Sequence, residues 1–144
     1  MFIKQLSVFV ENKQGALSKI ISLLSAGGIN MRAVSIADTQ DFGVLRVIVN
    51  DVEKATAILK DQNVIVSASD VIAVQLKDEP GALAAVLELL SAGGVNVEYL
   101  YAFVTPATAS GAYLVLRARN NAKAEKILLD NGVPMIGEEE IRAM

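Results

Sequence analysis

Cysteine, histidine and tryptophan are all absent from the 144 residues of this chain. Without cysteine or histidine there is no tetrahedral zinc site of the usual kind, no thiol nucleophile, no Ser-His-Asp triad and no histidine general base. Disulfides are excluded, so cysteine usage carries no information about an oxidising compartment. Basic residues are also scarce: 13 Lys and Arg stand against 16 Asp and Glu, a net charge of −3. A nucleic-acid binder normally presents a basic stripe to phosphate, so no nucleic-acid partner is expected. The first residues show no cationic stretch leading into an apolar one, which points to a cytoplasmic location. Neither a G-x-x-x-x-G-K-S/T phosphate loop nor a G-x-G-x-x-G turn occurs, and no metal or cofactor is expected.

Charge is missing from one longer stretch. Residues 99–116 carry none over 18 positions, close to the length that spans a bilayer. Their middle reads Thr105-Pro106-Ala107-Thr108-Ala109-Ser110-Gly111, turn chemistry between two runs of strand-forming residues. The pattern predicts a hairpin and no membrane span.

What the chain does contain is a repeat. Leu23-Leu24-Ser25-Ala26-Gly27-Gly28-Ile29-Asn30 recurs as Leu89-Leu90-Ser91-Ala92-Gly93-Gly94-Val95-Asn96, and Gly15-Ala16-Leu17 recurs as Gly81-Ala82-Leu83, all at an offset of 66. Ile58-Leu59 with Asp61 matches Ile127-Leu128 with Asp130 at 69, so the second copy carries three extra residues, which the loop at 105–110 absorbs. The chain is two copies of one fold, expected at residues 1–69 and 70–144.

Periodicity orders the elements. Leu6, Val8 and Val10 alternate with Gln5, Ser7 and Phe9 and predict a strand, whereas Leu17, Ile20, Ile21 and Leu24 fall on one face of a helix. Gly27-Gly28 ends that helix. Residues 29–38 and 42–49 read as strands around a turn, 52–61 as a second helix, and 64–67 as the start of a fourth strand. The second copy predicts strand 71–76, helix 81–92, strands 95–104 and 111–119, helix 121–131 and strand 133–141. The fold class is therefore α+β: two ferredoxin-like βαββαβ units, each an antiparallel four-stranded sheet with helices on one face, the two paired side by side. In the second copy Tyr99, Tyr101 and Phe103 alternate along one strand beside Tyr113, while Leu114 and Leu116 take the helix side. These aromatics make an apolar outer face, expected to be an interdomain or subunit interface.

The turn from first strand into first helix reads Asn12-Lys13-Gln14-Gly15-Ala16-Leu17 in copy one and Asp78-Glu79-Pro80-Gly81-Ala82-Leu83 in copy two. An acidic or amide residue, then Pro-Gly-x-Leu opening a helix that ends in Gly-Gly-Val-Asn-Val or Gly-Gly-Ile-Asn-Met, resembles the ACT domain, twice over the whole chain. Copy one departs from the pattern, with Lys13-Gln14 where Glu79-Pro80 stands. The resemblance implies a non-catalytic regulatory protein that binds an amino acid or similar small effector between paired domains. The alternative reading is a ligand-free protein-interaction module, or the regulatory subunit of an amino-acid biosynthetic enzyme like the acetolactate synthase small subunit, docking through the Tyr99, Tyr101 and Tyr113 face; a homodimer is left open.

Elementary chemistry agrees with the first of these. A helix N-terminus offers unpaired N–H groups and partial positive charge to an α-carboxylate, and Gly15 or Gly81 lets the backbone come close. Asn12 or Asp78 can accept from an α-ammonium, and Asn30 or Asn96 can reach across an interface with donor and acceptor together. The candidate binding residues are thus Asn12, Gly15, Ala16, Leu17 and Asn30, with Asp78, Gly81, Ala82, Leu83 and Asn96. Each also has an ordinary structural job: Asx-turns at Asn12 and Asp78, a positive φ at Asn30 and Asn96, core packing at Leu17 and Leu83. Asp78-Glu79 and the run Glu138-Glu139-Glu140 do not make a catalytic carboxylate pair, because neighbours on a strand point to opposite faces and a triple Glu reads as a solvated edge. No catalysis is expected.

Overall fold

The structure, a computed structural model, describes residues 1–104 and 111–144. Two compact units are present, Lys4–Ser69 and a second formed by Asp70–Met144 together with Met1–Ile3. The first unit runs β1 (Ile3–Glu11), α1 (Ala16–Ala26), β2 (Met31–Asp38), β3 (Phe42–Val49), α2 (Val52–Asp61) and the beginning of β4 (Val66–Leu76). Its strands lie in the order β2-β3-β1, all antiparallel, with Leu6 opposite Val47 and Ile36 opposite Leu45. The Phe9 N–H donates to the Ile65 carbonyl at 3.1 Å and brings the chain after α2 alongside β1. Leu6, Val8 and Val10 of β1, Leu45, Val47 and Val49 of β3, Ile20 and Leu24 of α1, and Ala55 and Leu59 of α2 form one buried cluster. Burying side chains of this size gives about 1.5–3 kcal/mol each, which fixes which face of each strand meets the helices.

The second unit repeats the plan with α3 (Ala82–Ala92), β5 (Val97–Ala102), β6 (Ala112–Ala118) and α4 (Asn121–Asp130), then adds α5 (Glu138–Ala143). β6 pairs antiparallel with β4 on one side and β5 on the other. Ile72, Val74, Leu116, Val86, Leu90, Ala124 and Leu128 are buried together, with Leu100 and Leu114 packed against them. Phe2, from the start of the chain, packs on this same cluster, and Ile3 is buried. The predicted hairpin of β5 and β6 is present; its tip at residues 105–110 lies outside the described residues. Among the described residues no helix is long and apolar enough to cross a membrane.

Three expectations about the elements need correction, besides two about single residues: Leu17 and Leu83, expected in the core, are exposed, and neither Asn30 nor Asn96 takes a positive φ, which among the described non-glycine residues Asn63 alone does. The strand predicted at 133–141 is a single β-bridge between Val74 and Met135, flanked by Gln75 N–H to Pro134 O and Ile136 N–H to Ala73 O, both 2.9 Å. Pro134 has no N–H to extend a ladder, and Glu138, Glu139 and Glu140 occupy the first turn of α5, where carboxylates favour the helix dipole. The glutamate run is therefore a helix start and not a strand edge. The fourth strand of copy one and the first of copy two are one uninterrupted strand, β4, with no turn between them. Finally, Gly27 and Gly28 do different work. Gly28 takes the left-handed φ of 75°, whereas Gly27 has φ −84° and leaves room for the Ile58 side chain, whose Cδ1 lies 2.3 Å from where a Cβ would stand.

Candidate functional site

The four longer helices begin in two ways, and the division respects the repeat. α2 and α4 carry side-chain caps: Asp51 Oδ1 accepts from Lys54 N and Asn120 Oδ1 from Lys123 N, both at 3.0 Å. α1 and α3 begin on glycine with no side-chain cap, Gly15 at φ 83°, ψ −12° and Gly81 at φ 88°, ψ −13°. The turns leading in share two backbone hydrogen bonds. Lys13 N–H reaches Glu11 O at 2.9 Å and Glu79 N–H reaches Lys77 O at 3.0 Å, while Ala16 N–H to Lys13 O and Ala82 N–H to Glu79 O are both 3.3 Å. Copy one thus makes the turn without the proline, because the left-handed glycine sets its direction. The next amides in each helix, of Leu17 and Ser18 and of Leu83 and Ala84, have no hydrogen-bond partner among the described residues. Open space lies beyond Gly15 and Gly81 where a Cβ would point.

Asn12 fastens its turn to the β2–β3 hairpin. Its Nδ2 donates to Thr39 O at 3.2 Å and Gln40 O at 3.5 Å, and its backbone N–H to Asp41 O at 2.9 Å. The amide N–H groups are thereby committed, and Oδ1 remains as the acceptor. Asn12, Leu17, Ile36, Asp38 and Gly43 line a hollow of about 140 Å³ in this unit, with Val10, Glu11 and Lys13. Asp78 stands at the matching place in the second unit and, as a carboxylate, can only accept.

Asn30 and Asn96 lie at the other end of α1 and α3. An 11-residue helix is about 16 Å long, so within one unit a small ligand cannot touch both the glycine turn and the asparagine. Their backbones are held alike: Asn50 N–H to Asn30 O at 3.2 Å, Arg119 N–H to Asn96 O at 2.9 Å. Asn50 Oδ1 also accepts from Asn30 N–H at 3.0 Å, and the exposed Asn30 side chain has no hydrogen-bond partner among the described residues. Asn96 lines a cavity of about 300 Å³ with Gly94, Arg119, Asn120 and Lys123.

Sequence reasoning missed a groove that recurs in both units. Val10, Ala16, Ile20, Val64 and Ile65 with Lys13 and Lys19 line about 330 Å³ in the first, and Leu76, Val86, Val133 and Pro134 with Lys77 about 350 Å³ in the second. Val10 and Leu76, Ile20 and Val86 correspond at the repeat offset of 66, and Val64 and Val133, Ile65 and Pro134 at 69, a signal the repeat itself held; the lysines do not correspond. In the first unit exposed Phe9 and Phe42 add aromatic surface.

The aromatic set of the second unit stands apart from these turns. Tyr101 and Phe103 are buried, Tyr99 stacks on Tyr101 with centroids 6.4 Å apart, and Phe103 meets Tyr113 edge-on at 6.2 Å. None belongs to the helix-side cluster that holds Leu100, Leu114 and Leu116. Among the described residues no three metal-ligating side chains cluster. Lys126, in α4, holds its proton above the ordinary lysine range through its hydrogen bond to Asp130 and that group's charge. This pair is exposed and remote in sequence from the turns.

The fold and these paired turns define a tandem βαββαβ architecture, and comparison with known proteins agrees. A family model described as an ACT domain pair matches residues 1–144, and the chain belongs to that family. A crystallised protein of Bacteroides thetaiotaomicron is similar throughout, 40% identical, with 100% of this chain and 98% of that one covered and a TM-score of 0.92. The regulatory subunit of aspartate kinase from Thermus thermophilus, in ligand-free form, is 16% identical over 88% of this chain and 87% of its own, with a TM-score of 0.57; that likeness is one of fold. The acetolactate synthase small subunit of Buchnera aphidicola is 36% identical over 42 residues, so the match spans 29% of this chain and only 26% of that subunit.

Proposed function

We propose that the chain is a non-catalytic regulatory protein that binds an amino acid, or a similar small effector, where two ACT units pair. The glycine turn of one unit, Asn12 with Gly15, Ala16 and Leu17 or Asp78 with Gly81, Ala82 and Leu83, receives the α-carboxylate on free helix amides. Asn30 or Asn96 of the facing unit completes the site. The observation that carries this reading is the uncapped glycine turn repeated in both units while the other two helices are capped by their own side chains. Amides left open twice, at the positively polarised end of a helix, match a carboxylate. The short match to an acetolactate synthase small subunit supports an amino-acid biosynthetic enzyme as the regulated partner.

Dye-monitored thermal melts against the common amino acids test the reading. A ligand at about 100 times its dissociation constant adds roughly 2.7 kcal/mol, several degrees of melting temperature at this size. Asn30→Ala with Asn96→Ala should leave the ligand-free melt unchanged, since neither exposed side chain has a hydrogen-bond partner among the described residues, and should weaken binding about tenfold, the worth of one lost hydrogen bond. No shift with any amino acid would refute the reading, and a shift indifferent to both asparagines would refute the site.

A further inference from the structure

One corner of the repeat has changed its charge while keeping its backbone. Between β3 and α2 the first unit carries Asn50, Asp51 and Lys54; between β6 and α4 the second carries Arg119, Asn120 and Lys123, at the offset of 69. The corner is tied alike in both, by Asn50 N–H to Asn30 O and by Arg119 N–H to Asn96 O. Asn120 makes the same capping bond as Asp51, so that exchange removes a carboxylate and spares the helix start. The exchange of Asn50 for Arg119 does more. In the first unit Asn50 Oδ1 accepts from the Asn30 N–H at 3.0 Å. A guanidinium accepts nothing, and the Asn96 N–H has no hydrogen-bond partner among the described residues. Two exchanges thus raise the local charge by two and withdraw an acceptor. The lysines also differ: Lys123 Nζ lies 3.6 Å from where a Cβ of Gly94 would stand, whereas nothing lies within 4 Å of that place at Gly28.

We propose that the cavity at this corner of the second unit, and not its counterpart in the first, binds the phosphoryl group of a small metabolite. Its lining of Gly94, Val95, Asn96, Arg119, Asn120 and Lys123 holds two cations and no acid. Neither cation has an ion pair among the described residues. Two like charges beside one hollow repel, and an anion between them relieves that repulsion. A carboxylate brings one charge and two oxygens in a plane, whereas a phosphate monoester brings about 1.5 to 2 charges and three acceptor oxygens. The donors come from three segments: the Asn96 amide after α3, Arg119 after β6 and Lys123 in α4. Three oxygens in separate directions suit that arrangement, and the fork of an arginine with the point charge of a lysine matches the group. A volume of about 300 Å³ admits a small metabolite, while a net charge of −3 opposes a nucleic-acid strand. The site uses the main-chain amide of Asn96 and does not depend on the amino-acid reading above.

Amide NMR spectra of the full chain, titrated with inorganic phosphate at constant ionic strength, test this. The amides of Asn96, Arg119 and Lys123 should shift and saturate, while those of Asn30, Asn50 and Lys54 stay in place. Arg119→Asn, which restores the residue of the first unit, and Lys123→Gln should each weaken binding about tenfold or more. Both side chains are exposed, and the same spectra report that each variant is folded. Glycerol 3-phosphate should bind at least as well as inorganic phosphate, and succinate, with two carboxylates on a short chain, about tenfold more weakly. The inference is overturned by an absence of saturable shifts, by equal shifts in the two units, by binding that ignores both substitutions, or by succinate as tight as phosphate. Amino-acid stabilisation in the melts without a phosphate response would end this inference and leave the ligand reading intact. A phosphate response in a chain that no amino acid stabilises would support this inference and end the ligand reading.

Discussion

A methyl group added at Gly15 or Gly81 meets nothing within 4 Å, yet both residues sit in the left-handed region. The cost of Gly15→Ala is therefore conformational alone, about 1–2 kcal/mol. Gly111 contrasts with them: at φ 116° its added Cβ would lie 2.3 Å from the Leu76 carbonyl oxygen, a backbone atom that cannot swing aside. Strain and overlap together should cost about 3 kcal/mol or more in Gly111→Ala. Urea denaturation of the two variants measures the difference, and equal losses would show that the clash relaxes. At this scale the sequence was only partly legible. The turn glycines announced themselves through their place in the repeat. The grip of Asn12 on Thr39 and Gln40 did not, because its acceptors are backbone carbonyls 27 and 28 residues away, which no local pattern records.

Helix starts offer a test at the level of elements. Asp51→Ala and Asn120→Ala each remove a side-chain cap and should each destabilise by about 1 kcal/mol, additively if the two helices fold as separate neighbours. Chemical denaturation of the singles and the double checks this; a loss below a few tenths would mean that water satisfies the freed amides. The order of elements was legible from periods of two and of 3.6 residues, and each copy corroborated the other. The failures fall where local composition and tertiary pairing disagree. Ser67-Ala68-Ser69-Asp70 reads as loop chemistry, but β4 runs through it as regular strand. Residues 133–141 read as a strand, and the missing donor of Pro134 with three carboxylates in a row made a bridge and a helix. The uncapped starts of α1 and α3 were readable only as motif; that their amides stay open required the structure.

For the whole molecule, the repeat fixed the number of units, while their membership is less tidy than two halves. Met1–Ile3 belong with Asp70–Met144, where Phe2 packs on the cluster of Ile72, Val74 and Leu90. Removing these three residues should destabilise that unit by about 2–4 kcal/mol, the worth of two apolar side chains of which one is only partly buried. Hydrogen exchange resolves the effect by region. The slowest amides of residues 71–76 and 113–118 should exchange faster while the core of Lys4–Ser69 keeps its protection. Equal losses in both regions would show that the three residues serve the molecule as a whole.

The same three residues set an order of events during synthesis. Lys4–Ser69 has all its parts once residue 69 has left the ribosome, and its contacts close over modest separations, which favours early folding. The second unit is completed later and from segments on either side of the first, since its core must recover Phe2 and Ile3, made before Lys4–Ser69. Until then those side chains have no settled place, and a nascent chain stalled after the first repeat would expose them to whatever apolar surface comes by.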